Sequence, residues 1–167
     1  MAYAIGLPLM ALLAILQSAV VSHLRLADGQ ADLVLVAIVA WALTGRSQEA
    51  MVLGLVGGLF LDLLSALPLG STALALVLIA YVVSLTEGRL WGAHLLTPLG
   101  VVFAASLFYS AFLLLASALV GARVDLPSVA SRVVLPETFL NVLIAVPAAQ
   151  LASALQRVLF PPEVEIG

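Results

Sequence analysis

One carboxylate in this sequence stands where hydrocarbon is expected. Asp62 falls inside the apolar stretch Gly54 to Leu76, "GLVGGLFLDLLSALPLGSTALAL", and an aspartate near the middle of a spanning helix costs about 2.5–3.5 kcal/mol on insertion scales. Gly54, Gly58 and Asp62 recur at intervals of four residues and Ser65 follows three later, so a helix gathers them into one narrow stripe. Glycines at that spacing admit the backbone of a neighbouring helix, which is the available source of packing energy where the solvent is itself apolar. The stripe therefore faces protein.

The turn that follows bears on the same acid. Leu67 precedes Pro68 and is biased away from helix, Gly70 supplies permissive dihedrals, and Ser71 or Thr72 can cap the next span. The carboxyl lies roughly 8 Å of helical rise before the turn. It comes within reach of the unpaired N–H groups and positive dipole end of that span. Three roles are open to Asp62: a structural tie between the third and fourth spans, a polar anchor for a helix of another chain, or proton or substrate handling. The last usually recruits a series of ionisable groups, and Glu49, Glu87 and Glu137 are expected at span ends rather than deep within one.

Asn141 shares a face of the last span with Thr138, Ala145 and Ala148, a small and polar surface suited to hydrogen bonding with another helix. Gln150 is out of phase with it, and Pro147 removes one backbone bond and can bend the helix. Phe103, Phe108, Tyr109 and Phe112 make the fifth span aromatic, which suits space filling or a lipid face more than a ligand cavity. Trp41, Tyr81 and Trp91 stand near the ends of their runs, where amphipathic rings settle at headgroup level. His23 and His94 flank spans without a metal-ligand pattern.

Enzyme chemistry finds little support. An intramembrane aspartic protease needs two carboxylates sharing a proton. Ser106 and Ser110 have no His or Lys beside them in a span. The fragment "DGQAD" at Asp28 to Asp32 has too few acids for a metal site and reads as a water-exposed connection. No cofactor is implied.

The elements that must position these residues are membrane helices. Of 167 residues, 64% are hydrophobic and 9% are charged, against about a quarter charged in an ordinary soluble domain. Apolar runs predict six spans near 2–22, 31–45, 50–67, 69–86, 95–120 and 138–160. The first lacks the basic leader of a cleaved signal and reads as a retained span. The second is short for a bilayer of roughly 30 Å and calls for local thinning or polar flanks such as Asp32 and Arg46. The connection 121–137 has apolar residues at helical spacing and predicts a short interfacial helix. Residues 1–160 form one transmembrane domain, an all-α bundle of six helices, and residues 161–167 a short polar tail. The six basic residues are single arginines that divide evenly between the two sides, leaving orientation open. They form no stripe that would hold nucleic acid.

Three segments in order, "ADLVL" at Ala31 to Leu35, "GLVGGLFLDLLSALPLGSTAL" at Gly54 to Leu74 and "IAYVVSL" at Ile79 to Leu85, resemble the rod shape-determining protein MreD family. Ala31 stands where that family commonly has proline. The resemblance implies a six-helix arrangement similar to the substrate-binding subunits of energy-coupling-factor vitamin transporters, with cytoplasmic termini in the bacterial cytoplasmic (inner) membrane. It also implies a non-enzymatic scaffold of the cell-elongation machinery that supports peptidoglycan synthesis. Its implied partners are an MreC-like protein, the MreB filament, a RodA-type glycosyltransferase and that enzyme's partner transpeptidase. On this reading Gly54, Gly58, Asp62, Ser65, Gly70 and Asn141 serve helix packing or partner docking. The alternative is the substrate-binding membrane subunit of a small-molecule transporter, for which the short, mostly apolar outer connections offer no obvious lid.

Overall fold

The computed structural model describes residues 2–19, 28–65, 68–85, 97–122 and 125–159. His23, His94, Trp91, Leu67, Glu87, the arginines 25, 89 and 123, and the tail 161–167 lie outside these residues. The elements in chain order are α1 (Ala2–Ala19), α2 (Leu33–Ala42), α3 (Ser47–Leu64), α4 (Ser71–Ser84), α5 (Thr97–Leu119), α6 (Leu126–Val129), a π-helical turn (Ala130–Val134) and α7 (Leu135–Leu159), with no strand among the described residues. Ser47–Leu64, Thr97–Leu119 and Leu126–Leu159 are long and apolar enough to cross a membrane, and Ile5–Ala19, Leu33–Ala42 and Ser71–Ser84 are shorter apolar helices.

The short second span has a different explanation from the one its length suggested. Ten residues rise about 15 Å, half the hydrocarbon thickness, but eight of the ten are buried, and α2 touches α1, α3, α4, α5 and α7. It is the central pillar of the bundle. A helix enclosed by protein has no need to match the bilayer, because irregular backbone at membrane depth is tolerated where protein surrounds it. Trp41 follows from this placement. It is buried, and its indole Nε1 donates to Glu49 Oε2 at 3.2 Å, so protein rather than lipid surrounds the ring. Glu49 also receives Arg46 Nε at 2.8 Å and pairs with the Arg46 terminal nitrogen. Tyr81 is exposed.

The expected interfacial helix is helical but not separate. Right-handed helical dihedrals at Ala130 and Leu135 carry α6 through the π turn into α7. Large apolar side chains cover the outer surface, including Ile15, Leu55, Leu63, Phe103, Leu143 and Leu151, as an acyl-chain environment requires. Phe103 and Phe108 point outward while Tyr109, one residue on, is buried, so the aromatic run of α5 divides between the two sides. Helix α7 continues through Pro147.

Candidate functional site

Asp62 is on the last turn of α3 and is 2% exposed. Its Oδ2 accepts from Gly70 N at 2.8 Å and from Ala73 N at 3.3 Å, and its Oδ1 accepts from Thr72 N at 3.0 Å. One carboxylate thus satisfies three of the N–H groups that the start of α4 leaves without intrahelical partners. It also places negative charge at the positive end of that helix. The helix needs such a partner, since its own N-cap residue is Gly70, which has no side chain to offer. Gly70 has φ +93°, a left-handed conformation that glycine adopts without strain.

The glycine stripe is what brings this acid to that end. A Cβ on Gly58 would meet Ala73 Cα at 2.3 Å and Ala73 N at 2.6 Å, whereas one on Gly54 would meet Leu76 backbone and side-chain atoms at 3.4 Å. The stripe therefore lies against α4 and is occupied within the chain, so a partner helix has to dock elsewhere. Gly57, on another side of α3, faces Val34 and Met10 and lets α1 and α2 approach. Ser65 does not extend the stripe. It is the C-cap of α3 in extended conformation, is exposed, and its hydroxyl donates to the Asp62 carbonyl at 3.3 Å.

The pillar α2 is closed the same way by three side chains. Asp32 Oδ1 accepts from Leu35 N at 2.8 Å, Gln17 Oε1 of α1 from Val34 N at 3.1 Å, and Asn141 Oδ1 of α7 from Asp32 N at 2.7 Å. The Asn141 amide donates its other end to Ser106 Oγ of α5 at 3.1 Å. Asn141 is fully buried and joins α7, α5 and the start of α2. At the opposite end of α2, Thr44 Oγ1 donates to the Trp41 carbonyl at 2.7 Å, and Gln156 Nε2 donates to the Thr44 carbonyl at 3.2 Å. Asp32, expected in a water-exposed connection, is instead 4% exposed because α1, α5 and α7 enclose it.

A polar cavity of about 350 Å³ lies beside these caps. Its walls come from the ends of α1 and α3, the starts of α2 and α4, the second half of α5 and the region around the π turn, so alternate helices end and begin around it. Gln17, Gln30, Asp32, Thr72, Tyr109 and Glu137 supply its polar surface. Gly29 makes that wall possible: a Cβ there would meet Val133 O and Glu137 N at 2.7 Å. The loop rests directly on the π turn, where Asp28 N donates to the Arg132 carbonyl at 3.0 Å. Glu137, expected at a span end, is within the continuous helix Leu126–Leu159 and lines the cavity together with Asp32. Gln150, exposed, borders a separate recess with Arg157.

Sequence reasoning reached the Asp62 cap but not Gln17, Asp32 or Glu137. Gln17 carried a usable signal, being an amide late in an apolar run. For Glu137 the signal was the helical spacing of residues 126–134, which continues into α7 and makes the acid part of one longer helix.

A bundle of short and long apolar helices whose buried polar side chains close one another's helix ends defines a small all-helical membrane protein. Residues 2–157 match the family described as rod shape-determining protein MreD, and the chain belongs to that family. Comparison with curated proteins and with solved structures gave no match. Family membership gives the chain a part in determining rod shape.

Proposed function

We propose that the chain is a non-enzymatic scaffold of the elongation machinery in the bacterial cytoplasmic membrane, with both termini cytoplasmic, and that it supports peptidoglycan synthesis by holding partner membrane proteins. The family match across residues 2–157 carries this reading. The partners proposed are an MreC-like protein, the MreB filament, a RodA-type glycosyltransferase and its transpeptidase, in an arrangement of helices similar to energy-coupling-factor substrate-binding subunits. The internal geometry supports a rigid frame. The buried polar groups Asp62, Asn141 and Gln17 bond to helix ends of their own chain, which restrains the helices relative to one another.

The test is affinity isolation of the tagged chain from native membranes under mild detergent, followed by identification of associated proteins. Recovery of wall-elongation proteins in defined proportion supports the reading. Recovery of an ATPase transporter module in their place overturns it in favour of a transport subunit.

A further inference from the structure

We infer that the outward face of α7 is the docking surface for one transmembrane helix of a different chain, a helix that brings an acidic side chain to Arg157 and an amide or hydroxyl to Gln150. The inference deepens the scaffold reading and rests on it for the statement that the partners are membrane proteins.

The observation that carries it is a set of unanswered polar groups at regular intervals on an exposed, otherwise apolar face. Leu143, Pro147, Gln150, Ala154 and Arg157 are all exposed and follow one another at steps of four, three, four and three residues. They form one line about 21 Å long on α7. This is the spacing at which two helices crossing at about 20° keep meeting. Leu151 and Val158, beside the line, are exposed as well, so apolar surface runs past Gln150 in both directions. The side chains of Gln150 and Arg157 have neither a hydrogen bond nor an ion pair among the described residues. Helix α7 continues through Pro147, which has no N–H to give the Leu143 carbonyl on the same line. Polar groups at 143, 150 and 157 are thus one heptad apart. The outward faces of α3 and α5 differ, presenting Leu55, Leu59 and Leu63, and Phe103, Phe108 and Leu115.

Charge and level decide which occupant fits. A polar group without a partner in apolar surroundings is unfavourable, and hydrogen bonds between helices are a common remedy in membranes. A phospholipid phosphate answers Arg157 but leaves Gln150, about 10 Å of helical rise farther along α7, among acyl chains. A second copy fits poorly too. Two copies in one membrane share an orientation, and the two-fold axis that pairs their α7 faces sets Arg157 against Arg157. A helix of another chain, with an acid at one level and an amide or hydroxyl a heptad away, satisfies both groups. A recess of about 400 Å³ between Pro98 of α5 and Val146, Ala149 and Ser153 of α7 opens beside the line and takes a side chain of that helix.

The test uses the donor-labelled full chain in phosphatidylcholine vesicles and three acceptor-labelled synthetic transmembrane peptides. The first is a leucine–alanine helix with Glu near one end and Gln seven residues deeper; the second has Lys in place of Glu, and the third Leu in place of Gln. The expected result is saturable energy transfer to the first peptide, with affinity lower by about tenfold or more for the Lys peptide and about threefold or more for the Leu peptide. Arg157→Glu reverses the order of the Glu and Lys peptides. Gln150→Leu removes the difference between the Gln and Leu peptides. Both positions are exposed, so both variants keep the fold, checked by an unchanged unfolding midpoint. Equal binding of the Glu and Lys peptides, an unreversed order in Arg157→Glu, no saturable transfer, or saturable transfer between two copies of the chain in place of the peptide each overturns the assignment. So does Arg157-dependent enrichment of phosphatidylglycerol around the chain that displaces the peptide. No native partner is present in this assay, so its failure strikes this face alone, whereas failure of the scaffold reading appears in the affinity isolation.

Discussion

Replacing Gly58 by alanine adds one methyl group at the closest approach of two helix backbones. The new Cβ would lie 2.3 Å from Ala73 Cα, and carbon atoms pack favourably at about 3.5–4.0 Å, so α4 must retreat by roughly 1.2 Å or more. The atoms in the way are backbone, and no rotamer change relieves them. The same retreat carries the α4 amides away from Asp62. Their bonds begin at 2.8, 3.0 and 3.3 Å and pass the limit of useful hydrogen bonding if lengthened by that amount. Overpacking costs about 1–3 kcal/mol and a weakened cap about 0.5–2 kcal/mol, and the helix-propensity gain of about 1 kcal/mol offsets part of this, which gives an expected loss of about 0.5–4 kcal/mol.

Gly54→Ala is the control, because its Cβ would sit at an ordinary 3.4 Å from Leu76. Its helix propensity gain of about 1 kcal/mol offsets a small packing cost, so its stability should stay within about 1 kcal/mol of the parent. Reversible unfolding by SDS titration in mixed micelles, followed by tryptophan fluorescence, measures both. Equal stability of Gly54→Ala and Gly58→Ala would refute the idea that α3 and α4 are locked at Ala73.

Asp62→Asn keeps the shape of the side chain but replaces one acceptor oxygen by a donor that opposes a backbone N–H, so it should lower stability by about 1–3 kcal/mol, with Asp62→Leu worse; an Asn variant as stable as the parent in the same titration would count against the cap. Asn141→Leu leaves Asp32 N and Ser106 Oγ without their partner and should cost about 1–3 kcal/mol, whereas Gln150→Leu, on an exposed position, should change stability by less than about 0.5 kcal/mol. Gly29→Ala should lift the loop from the π turn, seen as faster protease cleavage between residues 20 and 32 with the α3–α4 pair unaffected. In a rod-shaped bacterium depleted of its own copy, Gly58→Ala should fail to restore rod shape at a temperature where Gly54→Ala succeeds, scored by cell width at matched expression.

The part of this architecture that could be read from the residues is the part that is local in sequence. Asp62 and the amides it caps are within eleven residues of one another, and the Pro68–Gly70 turn between them announces itself by composition. The glycine stripe is likewise a property of one helix. Which helix fills it is not, although a short connection to α4 made that neighbour a natural one. Asn141 and Asp32 are separated by 109 positions, and no spacing rule relates them. Asn141 showed itself as a polar residue on a small-residue face, but its partners emerge only when α2, α5 and α7 are assembled. Asp32 looked solvated because its neighbours in sequence are Gly29, Gln30 and the chain's own loop. Its burial is imposed by α1, α5 and α7. The burial of Trp41 was hidden for the same reason, since the helices that enclose α2 lie far from it in sequence.

The main physical proposition is that the buried polar side chains serve to close helix ends, Asp62 foremost among them. Site-resolved amide hydrogen exchange on the chain in a bilayer, compared between the parent and Asp62→Ala, addresses it at the atoms concerned. The expected result is strong protection of Gly70, Thr72 and Ala73 amides in the parent and its loss at those three positions in the variant, with the middle of α4 still protected. Protection that persists at all three amides without the carboxylate would contradict the account.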